Sequence, residues 1–179
     1  NRDPTMRPLL LTEQLEECLV GGKAASLAAA TRAGLPVPVG VALPFGFVDA
    51  IAAGDAEARQ QLAAIFRTLG APLVARSSAV GEDSEQATFA GQYLTRLNLR
   101  SEPQLVDAVL AIWDSARSPS AFAYRERLRL PREPRMGVVV QELIDADTAG
   151  VLFSRNPITG SDELVIEAAW GLGESVVAG

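Results

Sequence analysis

The spacing of apolar positions along the chain predicts five helices. Alanine, the strongest helix former, fills the first of them, and large apolar side chains recur every three or four residues in the third. Ser101 lies two residues before Pro103 and Ser118 lies directly before Pro119, combinations that are common at helix N-termini. The helices are predicted at residues 21–34, 45–53 and 56–69, after Ser101 and after Ser118.

Short apolar or alternating runs between these helices predict six strands. The runs are rich in β-branched residues and are bounded by proline, glycine or small polar residues. They lie at residues 37–43, 72–77, 92–99, 137–144, 149–154 and 164–169. Residues 77–91 have little periodicity and are predicted to be a long loop, a kind of segment that is often functional. The whole pattern predicts an α+β fold, with one mostly antiparallel sheet and helices packed against it.

The composition excludes several classes of protein. The 179 residues include no histidine and one cysteine, Cys18, which excludes catalysis by an imidazole of this chain, an internal disulfide and a cysteine-rich zinc site. The net charge of −6 disfavours a nucleic-acid partner, since binding along a phosphate backbone usually needs a basic face. The chain has neither an apolar run long enough to span a membrane nor an apolar signal core, so we expect no membrane contact and a cytoplasmic location.

The segment Gly21-Gly22-Lys23 has the residue types that bind phosphate groups. It places a flexible backbone and a positive charge at a predicted helix start, where anions are favoured. It is not a Walker A loop, because the first glycine of that motif would fall on Glu17. A plain helix cap with a solvated lysine explains the same residues, so both interpretations stay open.

Arg76 and Gln141 are the other candidates for ligand contacts. Arg76 ends a predicted strand beside a loop of small residues, which suits a bidentate phosphate clamp; pairing with Glu82 or Asp83 in a surface turn is the alternative. Gln141 follows a run of valines that could form the apolar wall of a base pocket, with the amide contacting the edge of the base. Ordinary strand alternation at a sheet edge is the alternative for Gln141.

Four blocks of sequence, taken in order, resemble one enzyme family. They are GGKAASL with AGLPVPVGVAL, VARSSAVGEDSEQATFAGQYLTRLNL, MGVVVQELIDADTAGVLFSRNPITG and EAAWGLGESVVAG. With RSSA, EDS and FAGQ at its centre, this order is similar to the N-terminal ATP-binding domain of phosphoenolpyruvate synthase, pyruvate phosphate dikinase and rifampicin phosphotransferase. The resemblance covers residues 21–179 and implies the N-terminal lobe of an ATP-grasp-like fold.

The resemblance implies a role in ATP binding for seven residues. The lysine of the GGK block and the arginine of the RSSA block contact phosphates and take part in catalysis. The glycine of FAGQ lies over the phosphates, and the threonine four positions on is placed at the nucleotide. The glutamine of the VVVQ block reads the adenine, with the backbone of the next two residues nearby. In this chain these residues are Lys23, Arg76, Gly91, Thr95, Gln141, Glu142 and Leu143.

The resemblance also implies parts that lie outside these residues. In this family the magnesium ligands, a further arginine and the second ATP-grasp lobe follow the GLGE block, and the phosphate-carrying histidine lies in another domain. We therefore assign no metal ligand to this chain and expect its partners to be ATP, the second lobe and the phosphohistidine domain. Residues 1–5 are expected to be a vector-derived remnant, and residues 6–179 the N-terminal part of an ATP-binding domain, truncated before the second lobe.

The implied function is ATP binding as part of a phosphotransferase. The intact enzyme would pass phosphate from ATP through the phosphohistidine domain to pyruvate or to another acceptor such as rifampicin, and the fragment alone would be inactive. A stand-alone adenine-nucleotide-binding or interaction module without catalysis is the alternative. A glucan dikinase would differ only in its acceptor, which no residue of this chain identifies.

Overall fold

The computed structural model of the chain describes residues 3–80, 94–127, 134–173 and 176. The chain divides into two units, Asn1–Leu143 and Ile144–Gly179, and each has a sheet of its own where a single sheet was predicted. All strand pairs in the described part are antiparallel, and helices pack against the larger sheet, so the predicted α+β class is confirmed. No helix in this part is long and apolar enough to cross a membrane.

The first unit is built on a five-stranded sheet with the order β1-β2-β5-β3-β4. Its strands are β1 (Leu9–Leu10), β2 (Gly40–Leu43), β3 (Leu73–Ala79), β4 (Thr95–Leu99) and β5 (Met136–Glu142). The central strand β5 is buried on both faces, which its run of valines suits. β3 is longer than predicted, because Ser77 and Ser78 pair with Val138 and Gly137. The prediction of a loop from residue 77 is therefore wrong at its start, and residues 81–91 lie outside the described part.

The described part contains six helices, and five of them correspond to the five predicted helices. They are α1 (Glu17–Val20), α2 (Gly22–Arg32), α3 (Phe45–Ala52), α4 (Ala56–Leu69), α5 (Glu102–Ser115) and α6 (Pro119–Arg127). The side chains of Asp55 and Ser101 cap α4 and α5 by accepting from backbone N–H groups in the first turn, and Ser101 was predicted at a helix N-terminus. The single turn α1 was missed, because four residues are too few to show helical periodicity.

Helices cover both faces of the five-stranded sheet. Successive residues of a strand point to opposite faces, so Leu73 and Ala75 project towards a large apolar cluster with α3, α4 and α5. We call this side the core face. Arg76 and Ser78 project to the other side, where α1 and α2 pack and a small apolar cluster surrounds Ala24. We call this side the α2 face.

The second unit is a hairpin of β6 (Thr148–Phe153) and β7 (Val165–Trp170). Both strands were predicted and lie within one residue of the predicted limits. Asn156 forms a turn after β6, since its side-chain oxygen accepts from the backbone N–H groups of Ile158 and Thr159 at 2.9 and 3.0 Å. The hairpin contains none of the predicted site residues.

Candidate nucleotide-binding site

The antiparallel register brings three of the predicted site residues to the α2 face. Arg76 lies opposite Thr95 on β4 and opposite Val139 on β5. Gln141 lies opposite Val74, two residues before Arg76 on β3. Directly opposite residues share a face, and so do residues two apart on one strand, so Arg76, Thr95 and Gln141 all project from the same side.

Lys23 reaches this face from the first turn of α2. Its ammonium nitrogen Nζ donates to the backbone carbonyl oxygen of Ser77 at 2.8 Å, directly beside Arg76 in the chain. Lys23 and Arg76 are both partly buried, whereas Thr95 is exposed. A cation on the strand at Arg76 and a second one bound to the carbonyl of the next residue suit an anion with several negative charges, such as a polyphosphate.

The glycines before Lys23 have a packing role. Gly21 has a φ of +86°, and a Cβ atom there would lie 2.2 Å from the carbonyl oxygen of Ser78. Only glycine meets both demands, the left-handed conformation and the close approach to β3. The N–H of Ala24 in the first turn donates to Ser78 Oγ at 3.0 Å, so this donor is already satisfied within the protein. Packing accounts for Gly21, and anion binding by this helix end stays a prediction.

Gln141 is buried, with 2% of its surface exposed, and it ties two segments together. Its side-chain Nε2 donates to the backbone carbonyl of Pro38 at 2.9 Å. A carbonyl only accepts, so the amide nitrogen faces Pro38 and the oxygen Oε1 points away from it. Gly40 permits this arrangement, because a Cβ there would lie 2.5 Å from Gln141 Cγ. No local sequence signal indicated this link, which joins residues 103 positions apart.

The remaining predicted site residues, Glu142, Leu143 and Gly91, add no contact to the α2 face in the described part of the chain. The backbone N–H groups of Glu142 and Leu143 donate to Val39 and Pro72 carbonyl oxygens, both at 3.0 Å. These two donors are therefore occupied, and a base contact at either residue would have to use other atoms. Gly91 lies outside the described residues.

The described residues show no candidate metal site, and a cavity found among them is not lined by the predicted site residues. No group of three or more His, Cys, Asp and Glu side chains in this part of the chain could hold a metal ion. One cavity of about 530 Å³ is lined by other residues, among them Cys18, Asp49 and Arg117. Arg117 is already engaged there, stacked 3.6 Å from the centre of the Trp113 ring and paired with Asp49 at 3.1 Å.

Residues 46–179 match the family described as pyruvate phosphate dikinase, AMP/ATP-binding domain. An uncharacterized phosphotransferase of Bacillus subtilis (strain 168), YvkC, is 37% identical over 95% of this chain and 24% of its own length. A phosphoenolpyruvate synthase of Aeropyrum pernix is 34% identical over 90% of this chain and 26% of its own. A prodigiosin synthesizing transferase of Serratia marcescens, PigC, is 35% identical over 97% of this chain and 23% of its own length. The chain thus spans about a quarter of the length of these curated relatives.

Among solved structures, the chain is similar to a dinucleotide-forming acetyl-coenzyme A synthetase 1 of Ca. Korarchaeum cryptofilum. The match covers 85% of this chain and 61% of that one, with 17% identity and a TM-score of 0.36.

Proposed function

Because the chain belongs to the pyruvate phosphate dikinase AMP/ATP-binding domain family, we propose that it binds ATP on the α2 face of its five-stranded sheet. The observation that carries this proposal is the meeting of Lys23, Arg76 and Thr95 on one face, although they come from three separate elements. A plain helix cap at Lys23 or a surface ion pair at Arg76 would not require these residues to lie on the same face.

In this proposal the phosphates of ATP lie against the two cations. The planar guanidinium of Arg76 can hold two phosphate oxygens at once, and the ammonium of Lys23 supplies a point charge beside it. The hydrogen bond from Lys23 to the carbonyl of Ser77 orients the lysine before the ligand arrives. Such preorganisation lowers the entropy that binding costs. Thr95, exposed and directly opposite Arg76, adds a hydroxyl at the same position of the sheet.

The base is proposed to lie nearer Gln141. Since Nε2 of Gln141 is held by Pro38, the group turned away from Pro38 is the acceptor Oε1. An acceptor suits adenine, which has an exocyclic amine at C6, and it opposes guanine, which has a carbonyl there. The proposal therefore favours ATP over GTP.

The longer protein is proposed to be a phosphotransferase in the cytoplasm. A phosphoryl group of ATP would pass to a histidine and from there to pyruvate or another acceptor such as rifampicin. This chain has no histidine, so the proposed carrier belongs to a separate domain, as does the second lobe of the ATP-grasp-like clamp. Magnesium is proposed to bind to ligands outside this chain, as the resemblance to the family implies.

The binding proposal is tested by removing single charges and measuring ATP affinity by calorimetric or NMR titration of the 179-residue chain. Lys23→Met and Arg76→Met are each expected to weaken ATP binding by about tenfold or more, the scale of a charge-assisted hydrogen bond. Arg67→Met is the matched control, because Arg67 lies on α4 and pairs with Glu102 at the surface. An equal loss of ATP affinity in all three variants would show that only the net charge of the chain matters, and it would contradict the proposal.

The catalytic part of the proposal is tested with radiolabelled ATP. The chain alone is expected to take up no labelled phosphate and to transfer none to pyruvate or rifampicin. Phosphoryl transfer by the isolated chain would overturn the proposed division of labour between domains.

A further inference from the structure

Two adjacent serines of β3, Ser77 and Ser78, have opposite environments. Both are buried, with 1% and 0% of their surface exposed. Ser77 projects to the core face, where its hydroxyl has no hydrogen-bond partner among the described residues. Ser78 projects to the α2 face, where its hydroxyl oxygen accepts from the N–H of Ala24 at 3.0 Å.

The bond to Ser78 replaces a missing helix cap. The N-cap of α2 is Gly21, which has no side chain to accept from the first-turn N–H groups. A capping side chain cannot be built at that position, because a Cβ atom would collide with the Ser78 carbonyl and the φ of +86° disfavours other residues. Ser78 supplies the acceptor instead, from a strand 54 residues further along the chain.

The same turn of α2 contacts β3 at a second point. Lys23 lies between Gly21 and Ala24, and its ammonium donates to the carbonyl of Ser77 at 2.8 Å. The backbone of the turn is thus fixed by Ser78, and the lysine ammonium lies at the carbonyl of Ser77, the residue next to Arg76. The distance between the two cations depends on where this turn is held.

We propose that Ser78 is a positioning residue for ATP binding: its hydroxyl caps α2 across the fold and holds Lys23 at a fixed place beside Arg76. The inference rests on the proposed function, since it assumes that Lys23 contacts the phosphates. Ser78 itself touches no part of the proposed ATP ligand. Its effect on ATP affinity therefore passes through Lys23.

The test compares Ser78→Ala with the neighbouring Ser77→Ala in the full 179-residue chain. Ser78→Ala leaves the Ala24 N–H without its acceptor, so the hydrogen exchange of this amide is expected to accelerate. ATP affinity is expected to fall by about fivefold, the equivalent of a lost helix cap. Ser77→Ala keeps the backbone carbonyl that Lys23 uses and removes only the unpartnered hydroxyl, so ATP affinity is expected to stay within about twofold.

A double-mutant cycle with Lys23→Met separates positioning from general loosening of the fold. If Ser78 acts through Lys23, Ser78→Ala costs affinity in the parent chain and almost none once Lys23 is already methionine. An equal penalty in both backgrounds would overturn the proposal. Should Ser78→Ala fail to fold, Ser78→Cys gives the same comparison with a side chain of similar size and a much weaker acceptor.

The cycle also distinguishes failure of this inference from failure of the proposed function. Unchanged ATP affinity in Lys23→Met overturns the role of Lys23 itself, and the positioning role falls with it. A loss in Lys23→Met with none in folded Ser78→Ala overturns only the role of Ser78.

Discussion

The two faces of the five-stranded sheet are made by alternate residues of the same strands, yet they differ in chemistry. Among the described residues, the core face contributes to a cluster of 20 buried apolar residues, whereas the apolar cluster on the α2 face has six. The α2 face instead carries Arg76 and the buried polar residues Ser78 and Gln141, both hydrogen-bonded. Apolar burial, which is proportional to area and non-directional, stabilises the first face, and specific hydrogen bonds order the second. We infer that stability and ligand binding are separated across one layer of backbone.

The strongest test of this separation is a cavity in the core face. Phe47 is fully buried on α3, so Phe47→Ala is expected to lower the free energy of unfolding by about 3–5 kcal/mol. ATP affinity of the folded protein should stay the same, because Lys23, Arg76 and Gln141 lie on the other side of the sheet. Urea unfolding followed by circular dichroism measures the first quantity, and titration with ATP measures the second.

Leu35→Ala is the control for this variant, since Leu35 is 59% exposed. It should change the free energy of unfolding by less than about 0.5 kcal/mol. A large loss of ATP affinity in folded Phe47→Ala would show that the two faces are coupled.

A smaller effect is expected from crowding the α2 face at Gly40. In Gly40→Ala the new methyl group would lie 2.4 Å from the Val140 carbonyl oxygen and 2.5 Å from Gln141 Cγ. Backbone and side chain must both shift, which costs about 1–3 kcal/mol of stability and displaces the amide of Gln141. ATP affinity should therefore fall together with stability, as calorimetry and urea unfolding would show.

Gly34→Ala supplies the contrast for Gly40→Ala. Nothing lies within 4 Å of a Cβ at Gly34, and its cost comes only from a φ of +79°. This variant should lose some stability but no ATP affinity. Equal ATP affinities in the two variants would argue against a base site near Gln141.

The sequence predicts the core face better than the α2 face, and the reason is physical. Helices such as α4 depend on local signals, a cap at Asp55 and an apolar stripe, and both were visible in the sequence. The bonds from Lys23 to Ser77 and from Gln141 to Pro38 join residues 54 and 103 positions apart. Such contacts depend on strand order and register, which no local pattern specifies. The residue patterns therefore indicated Lys23, Arg76 and Gln141 separately, and only the family resemblance grouped them.

The smallest effect is expected at the edge of the sheet, where acid should loosen β1. The carboxylate of Glu13 accepts from the backbone N–H of Leu10 at 2.8 Å and pairs with Arg7, and the backbone bond holds the pKa of Glu13 below its ordinary value of 4.5. A lowered folded pKa gives stability that is present above pH 4.5 and is lost as the pH falls through the folded value. Glu13→Gln should remove this part of the pH dependence of unfolding below pH 4.5, without changing ATP affinity at pH 7. An unchanged acid limb in the variant would contradict the role of this carboxylate.

ATP binding on the α2 face is tested most directly by a map of amide chemical shifts during titration of the isotope-labelled 179-residue chain with ATP. Binding at the α2 face should shift the amides of the first turn of α2, of Arg76 to Ser78 in β3, of Thr95 and of Gln141. The amides of α3, α4 and α5 should stay still. Shifts concentrated on those three helices, or around Asp49 and Arg117, would contradict the proposed site.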